Sequence, residues 1–162
     1  MKEDSSKKGL PPNKRENQIF PPKGVSSNKM DPIKVVVRYS DGRIIKGYTQ
    51  NFSPNKPIFH VRPHNVDSEQ TLEISIKDLK GIFFVRDFAG DPNYKEQKVF
   101  PYGLNIIGKK IEVSFKDGEV LVGSTLGYSP LRLGFFVYPS DPNWNLTRAF
   151  VVSEAIESTR YI

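Results

Sequence analysis

Two histidines, His60 and His64, are the only imidazoles in a chain of 162 residues that has no cysteine. His60 lies in a segment with strand-like alternation and Pro63 follows it, so the pair does not share one face as helical i, i+4 metal ligands do. Asp67 and Glu69 come soon afterwards, which leaves a weak surface metal site as the alternative to an exposed pair on a loop. Neither histidine has a nucleophile to activate as a general base, because the chain has no cysteine and no serine at a strand-to-helix turn.

Phosphate chemistry has one candidate, the segment 103–110 (GLNIIGKK), which nearly matches a P-loop. Its last position is Lys110, where a P-loop needs Ser or Thr to reach Mg²⁺. The residues that follow alternate like a strand, whereas a P-loop needs a helix whose first amides hold the phosphates. We interpret the segment as a turn leading into Ile111. We therefore expect a protein that is not an enzyme and that needs no metal or cofactor.

The elements that must position any site occur twice in the sequence. The segment 34–42 (KVVVRYSDG) returns as 110–118 (KIEVSFKDG), a shift of 76 residues. The same shift relates Gly47 to Gly123 and Thr71 to Thr147. An internal duplication of this kind indicates two copies of one structural unit.

Each copy has the pattern of a small β-structure. Apolar residues alternate with period two, and Asp41-Gly42 and Asp117-Gly118 supply the residues of tight hairpin turns. Four strands, a single helical turn and a fifth strand follow in each copy. The sequence predicts an all-β fold of two tandem, five-stranded, strongly bent barrels.

The domain boundaries follow from this pattern. We place the first barrel at residues 33–85 and the second at 110–162. Residues 86–109 are rich in aromatics, Gly and Pro and are expected to be a linker packed on the barrels. Residues 1–32 are rich in Lys, Ser, Asn and Pro and are predicted to be a disordered tail, whose Ile19-Phe20 pair is either a docking motif or a solvated exception.

The first copy resembles the opening of Sm-like barrels through the pattern V-x-V-x-x-x-D-G-R-x-x-x-G at 35–47. The resemblance implies a small bent barrel of the Sm-like or Src-homology-like kind. Sm-like proteins read uridine with an Asp after the second strand, and this chain has Ser53 and Ser129 there, so their RNA pocket is not implied. The whole chain also resembles an uncharacterised bacterial family with a doubled unit and the central segment 79–88 (LKGIFFVRDF).

A second, weaker resemblance concerns a nucleotide ligand. Asn51-x-Ser53, with Arg38 and Arg43 upstream, is similar to the signature of cyclic-dinucleotide-binding PilZ domains. Lys56 stands where that signature has Gly, so we interpret the segment as a turn. A ligand site at Arg38, Arg43 and Asn51 is kept as an alternative hypothesis.

The loop positions at which the two copies differ point to a partner. Asn143, Trp144 and Arg148 lie in and after such a loop, and Trp and Arg are the residue types that anchor protein interfaces. Arg86 and Asp87, at the start of the linker, could lock one barrel to the other as an ion pair. We therefore predict a module that binds a protein partner through these five residues.

Charge leaves nucleic acid as a further alternative. The chain has a net charge of +6, and the first 32 residues supply half of it. The tail would attract a polyanion, and aromatics such as Tyr48, Tyr138 and Trp144 would stack on bases. No apolar run follows the N-terminus and none is long enough for a membrane span, so we expect a cytoplasmic protein with no membrane contact.

Overall fold

The described residues form ten strands, and a single 3-10 turn precedes the fifth and the tenth of them. The computed structural model describes residues 32–65, 67, 70–129 and 131–162. The predicted tail lies outside the described residues, except for Pro32. In chain order the elements are β1 (Ile33–Tyr39), β2 (Ile44–Thr49), β3 (Ile58–Pro63), β4 (Leu72–Ser75), a 3-10 turn (Ile76–Asp78), β5 (Leu79–Val85), β6 (Lys109–Phe115), β7 (Val120–Thr125), β8 (Gly134–Pro139), β9 (Leu146–Val152), a 3-10 turn (Ser153–Ala155) and β10 (Ile156–Tyr161).

The strands pair in the order β10-β6-β7-β8-β9-β5-β1-β2-β3-β4, and every pairing is antiparallel. We call β1–β5 the first half and β6–β10 the second half. Each half follows the same order, with its fifth strand beside its first. β5 and β9 then pair with each other, and we call this pairing the junction. The all-β class is confirmed, but the two sets of five strands are not separate: the junction makes them one open sheet that ends at β4 and β10.

Glycines occupy two turns and two strand positions at which a side chain would be strained or would have no room. Gly42 and Gly118 both have φ of +98°, the left-handed region that a side chain disfavours, so the two predicted tight turns are present. Gly47 and Gly123 lie inside strands for a different reason. A Cβ atom would lie 2.4 Å from the carbonyl oxygen of Arg62 at Gly47, so the neighbouring strand leaves no room for a side chain.

The duplication is offset by one residue after the third strand of each half. Phe59 pairs with Ile74 in the first half, and Phe135 pairs with Val151 in the second. Equivalent residues of the two third strands are therefore 76 positions apart, whereas those of the two fourth strands are 77 positions apart. The predicted equivalence of Thr71 with Thr147, which assumes a shift of 76, is wrong. A one-residue slip exchanges the two faces of a strand. Val151, and not Phe150, therefore corresponds to Ile74.

Two apolar cores lie on the two sides of the junction, and each contains residues of both halves. Core 1 takes Phe150 and Val152 from β9, while core 2 takes Phe83 from β5. The buried members of core 1 are Val35, Val37, Phe59, Val61, Ile74, Ile76, Leu79, Ile82, Phe84, Phe150 and Val152. Those of core 2 are Phe83, Ile111, Val113, Phe115, Leu121, Phe135, Val137, Leu146, Ala149, Val151 and Ala155.

The segment between β5 and β6 contacts both halves through specific side chains. The Phe88 ring packs edge-on against Tyr48 of the first half, with the ring centroids 5.3 Å apart. On the second half, Asp141 is buried and accepts hydrogen bonds from the Tyr94 hydroxyl at 2.6 Å and the Gln97 amide at 2.9 Å. These contacts attach the segment to both halves.

Candidate protein-binding site

A cleft of about 190 Å³ opens beside the junction. Phe83 of β5 and Leu146 of β9 both line it, and Val36 of β1 adds a third apolar side chain. Trp144, half-buried and packed against core 2, also lines the cleft. The complete lining is Val36, Arg38, Phe83, Val85, Phe115, Glu119, Leu121, Trp144, Asn145 and Leu146.

Charged side chains form one rim of this cleft and link the halves. The Arg38 guanidinium lies 3.3 Å from the Glu119 carboxylate. Lys80 is only 4% exposed, and its ammonium group contacts both Glu119 and Asp117, the latter at 2.7 Å. The Lys80 ammonium, with help from the Glu119 backbone amide, holds the pKa of the Asp117 carboxyl below its usual value. A lysine of β5 thus binds the β6–β7 turn of the other half.

The loop that carries Trp144 is held by the residues just after β5. The Arg86 guanidinium donates to the carbonyl oxygen of Trp144 and, at 3.1 Å, to that of Pro142. The side chain of Asn145 and the backbone of Asp87 exchange two hydrogen bonds, of 2.8 and 3.1 Å. These contacts position Trp144 from the other half of the chain.

The suggested Arg86–Asp87 pair is not among the ion pairs of the described residues. The Asp87 carboxylate instead accepts hydrogen bonds from the amides of Ala89, at 2.7 Å, and Gly90. Asn143 shares with these residues a wider depression of about 630 Å³, and Trp144 and Asn145 line both this depression and the cleft. Four of the five predicted partner-binding residues therefore lie together.

Arg148, the fifth, lies elsewhere. Its guanidinium carbon is 4.3 Å from the centre of the Phe84 ring and 4.8 Å from that of Phe136, two residues packed in or against core 1. Trp144 packs against core 2. The predicted hot spot of Trp144 with Arg148 is thus divided, because β9 places Arg148 toward core 1.

Comparison with protein-family models matches residues 31–162, which include all ten strands. The chain belongs to DUF6982, a family of unknown function. Comparisons with curated proteins and with solved structures gave no match. The function of this DUF6982 chain must therefore be argued from its own residues.

The three residues of the nucleotide hypothesis are not brought together in the DUF6982 chain. Arg38 turns to Glu119, whereas Arg43 pairs with Asp41 at 2.9 Å within its own turn. Asn51 bonds instead to the ring and the backbone amide of His60, at 3.0 and 2.9 Å. Each of the three is engaged with a different neighbour.

The histidines and the P-loop-like segment, the other candidates for chemistry, have contacts or a place in the fold that explain them without a ligand. His60 bonds to Asn51, while His64 stacks on Phe88 with the ring centroids 4.3 Å apart. Within the described residues, which exclude Glu69, no group of three His, Asp or Glu side chains is placed to hold a metal ion. The P-loop-like segment leads directly into β6. No helix of the described chain is long and apolar enough to cross a membrane.

Sequence reasoning missed Phe83, Val36 and the junction that places them in the cleft. A signal was present in β5, whose residues 81–85 read GIFFV without alternation. An unbroken apolar run of this length is typical of a strand buried on both faces. Val36 likewise breaks the alternation of β1, because it adds an apolar residue to the face opposite Val35 and Val37.

Proposed function

We propose that this DUF6982 chain is a non-enzymatic, cytoplasmic interaction module that serves regulation or assembly by binding a protein partner. The partner contributes a segment with a large apolar side chain, which enters the cleft beside Phe83 and Trp144. The observation that carries this proposal is the open apolar cleft with a tryptophan wall and a charged rim.

The composition of the cleft supports a protein rather than a small polar ligand. Protein interfaces combine an apolar centre, where aromatic residues supply most of the binding free energy, with a polar rim that is more exposed to water. Phe83, Leu146 and Val36 provide the apolar part, and the Arg38–Glu119 pair provides part of the rim. Arg86 and Asn145 hold Trp144 in position before the partner arrives, which lowers the entropic cost of binding.

The proposal also assigns each half to the Sm-like kind of unit. The identical strand order of the two halves, with the fifth strand beside the first, supports two copies of one small β-unit. The uridine site of Sm-like proteins is not part of the proposal, since Ser53 and Ser129 replace its Asp.

The test uses Trp144 as the reporter, because it is the only tryptophan in the chain. Random peptides displayed on phage are selected on the full chain, and Val85→Arg, which places a charge on the cleft lining, is kept as the test variant. Selected peptides are then titrated against the wild-type chain. We expect each to contain a large apolar residue, to shift Trp144 emission to shorter wavelength and to shield it from acrylamide.

Val99→Arg is the matched control, because Val99 is 66% exposed and does not line the cleft. Peptides that bind the cleft lose affinity for Val85→Arg by tenfold or more and keep it for Val99→Arg. Equal binding to both variants, or binding without any change in Trp144 emission, would contradict the proposal.

A further inference from the structure

A second cluster of side chains lies on β2 and β3, away from the cleft. His64 stacks on Phe88 with an angle of 23° between the rings, and Phe88 packs edge-on against Tyr48. The Arg62 guanidinium carbon lies 4.7 Å from the centre of the Tyr48 ring, and the Lys46 ammonium donates to the Phe88 carbonyl oxygen at 3.0 Å. We call these five residues the ring–cation cluster.

The sheet itself holds the ring–cation cluster in place. Tyr48 and Arg62 are directly opposite each other in the β2–β3 ladder. The His64 amide donates to the Lys46 carbonyl oxygen at 3.1 Å, which continues the ladder past the end of β3. The side chains are therefore ordered by backbone pairing and need little rearrangement to bind a ligand.

Among the described residues, the two cations of this cluster have no carboxylate partner. Ion pairs among the described residues involve Arg38, Arg43, Lys80, Lys98 and Arg160, but neither Lys46 nor Arg62. Their contacts in this part of the chain are with the Phe88 carbonyl oxygen and the Tyr48 ring, which are uncharged, so both positive charges can serve an external anion. His64 is exposed, and the Phe88 ring stacks on one face of its imidazole.

The second half has a different surface at the equivalent positions. Ser124 and Tyr138 replace the Tyr48–Arg62 pair, and Ser140 replaces His64. Ser124 and Ser140 are both buried, and the Ser140 hydroxyl donates to the Gln97 carbonyl oxygen at 2.7 Å. The linker covers this surface in the second half, whereas the first half presents aromatic rings and two cations that pair with no carboxylate of the described residues.

We propose that the ring–cation cluster binds single-stranded nucleic acid. A base stacks on the face of the His64 ring opposite Phe88 and extends the Phe88–His64 stack, while Lys46 and Arg62 neutralise the flanking phosphates. Stacking rings beside two cations suit this ligand because every base has a π-face and every linkage a negative charge. An acidic peptide would use the cations but not the ring stack, and duplex DNA would keep its bases out of reach.

The experiment measures fluorescence anisotropy of a fluorescein-labelled 12-nucleotide single-stranded RNA with the full chain, at several salt concentrations. Lys46→Gln/Arg62→Gln removes the two cations of the cluster. The matched control, Lys77→Gln/Lys116→Gln, removes the same charge from two exposed lysines outside it. We expect the first variant to bind at least tenfold more weakly and to lower the log–log salt slope by about 1.4, as two lost phosphate contacts on a single strand require. The control should lose less than twofold.

A second pair of variants tests stacking separately from charge. His64→Ala should weaken binding at least fivefold, whereas His64→Phe should keep it, because a phenyl ring preserves the stack. Circular dichroism melting curves verify that each variant is folded. The proposal is overturned if the chain does not bind the strand, if both glutamine variants lose equal affinity, or if His64→Ala binds like wild type. It also fails if a twelve-residue glutamate peptide or the matching duplex competes as well as unlabelled single strand.

Discussion

Phe150 of β9 lies opposite Ile82 of β5, and both side chains are fully buried in core 1 although they come from different halves of the chain. Phe83, the neighbour of Ile82, lies in core 2. Successive residues of a strand point to opposite faces, so the junction supplies both cores at once. Neither half has a complete core without the other, which makes them one cooperative unit.

Phe150→Ala should therefore destabilise the whole unit and not only the second half. Truncating a buried phenylalanine costs about 3–5 kcal/mol through lost burial and the cavity it leaves. Urea unfolding followed by circular dichroism should show one transition in both proteins, shifted to lower urea in the variant. Leu131→Ala is the control, because Leu131 is 94% exposed and its loss should change stability by less than about 0.5 kcal/mol. Two separate transitions in the wild-type chain would show that the halves unfold independently.

The sequence predicted the strands because each depends on local patterning. Alternation marked β1 and β6, and Asp-Gly dipeptides marked the turns at Gly42 and Gly118. It did not predict the junction, because the pairing of two strands far apart in sequence depends on which faces remain apolar. The constant shift of 76 also matched Phe150 with Ile74, which would have placed Phe150 in the core of its own half. A comparison without gaps cannot detect the extra residue before β9. That residue exchanges the two faces of β9 relative to those of β4.

The candidate site was predicted only in part, because some of its residues are marked by local sequence and others are brought in by strand pairing. Trp144 and Asn143 were found because loop residues of these types stand out between two similar copies. Arg148 was grouped with Trp144 because the two are close in sequence, but Trp144 lies in the loop before β9 and packs against core 2, whereas Arg148 lies on β9 and contacts rings in or against core 1. Phe83 was missed because most of the residues that line the cleft with it, from Val36 on one side of the sequence to Leu146 on the other, lie more than 30 positions away along the chain.

The free ends of the sheet carry polar residues where the junction carries apolar ones. Glu73 on β4 corresponds to Phe150, and Arg160 on β10 corresponds to Phe83. Charged residues on edge strands disfavour pairing with another chain. We expect the wild-type protein to be a monomer, since the junction cannot be repeated between copies.

Glu73→Phe/Arg160→Phe should restore the apolar character of both edges and cause head-to-tail association that rises with concentration. Size-exclusion chromatography with light scattering measures this directly. Lys77→Phe/Glu154→Phe is the control, because it makes the same charge changes at exposed positions in the two 3-10 turns. If the control associates as strongly as the edge variant, surface hydrophobicity and not edge pairing is responsible.

The contact between Lys80 and Asp117 should make stability depend on pH in the acid range. The pKa of Asp117 is lowered in the folded protein, first by the Lys80 ammonium and then by the Glu119 amide. A carboxyl group with a lowered folded pKa contributes stability above its unfolded pKa, near 4, and loses it as the pH falls through the folded value. Asp117→Asn should therefore lower the urea midpoint at pH 6 and have progressively less effect toward pH 2.5.

Asp117 is half exposed, so the expected cost of this variant at pH 6 is only on the order of 1 kcal/mol. Lys80→Met serves as the comparison, because it removes the buried charge along with the need for a partner. Replacing a buried ion pair by an apolar group is often close to neutral. A difference between Asp117→Asn and wild type that stays constant from pH 6 to 2.5 would mean that the charge of Asp117 contributes nothing.

Asp141 should control how firmly the linker is attached to the second half. It is 3% exposed and accepts hydrogen bonds from the Tyr94 hydroxyl and from the amides of Gln97 and Asn143. Burial alone would raise its pKa, but these three donors outweigh burial and hold the pKa below the usual value. The carboxylate is therefore charged in the folded protein and is the acceptor that fixes the segment around Tyr94.

Asp141→Ala should release this segment while leaving the sheet intact. Limited trypsin digestion measures the release, because Lys95 and Lys98 lie within the segment. We expect cleavage there to become at least tenfold faster, with a stability loss of about 2–3 kcal/mol for the charged hydrogen bonds removed. Tyr94→Phe removes only one of those donors and should give a smaller increase. If both variants are cut at the wild-type rate, Asp141 does not hold the linker, and the packing of Phe88 on Tyr48 and His64 must do so instead.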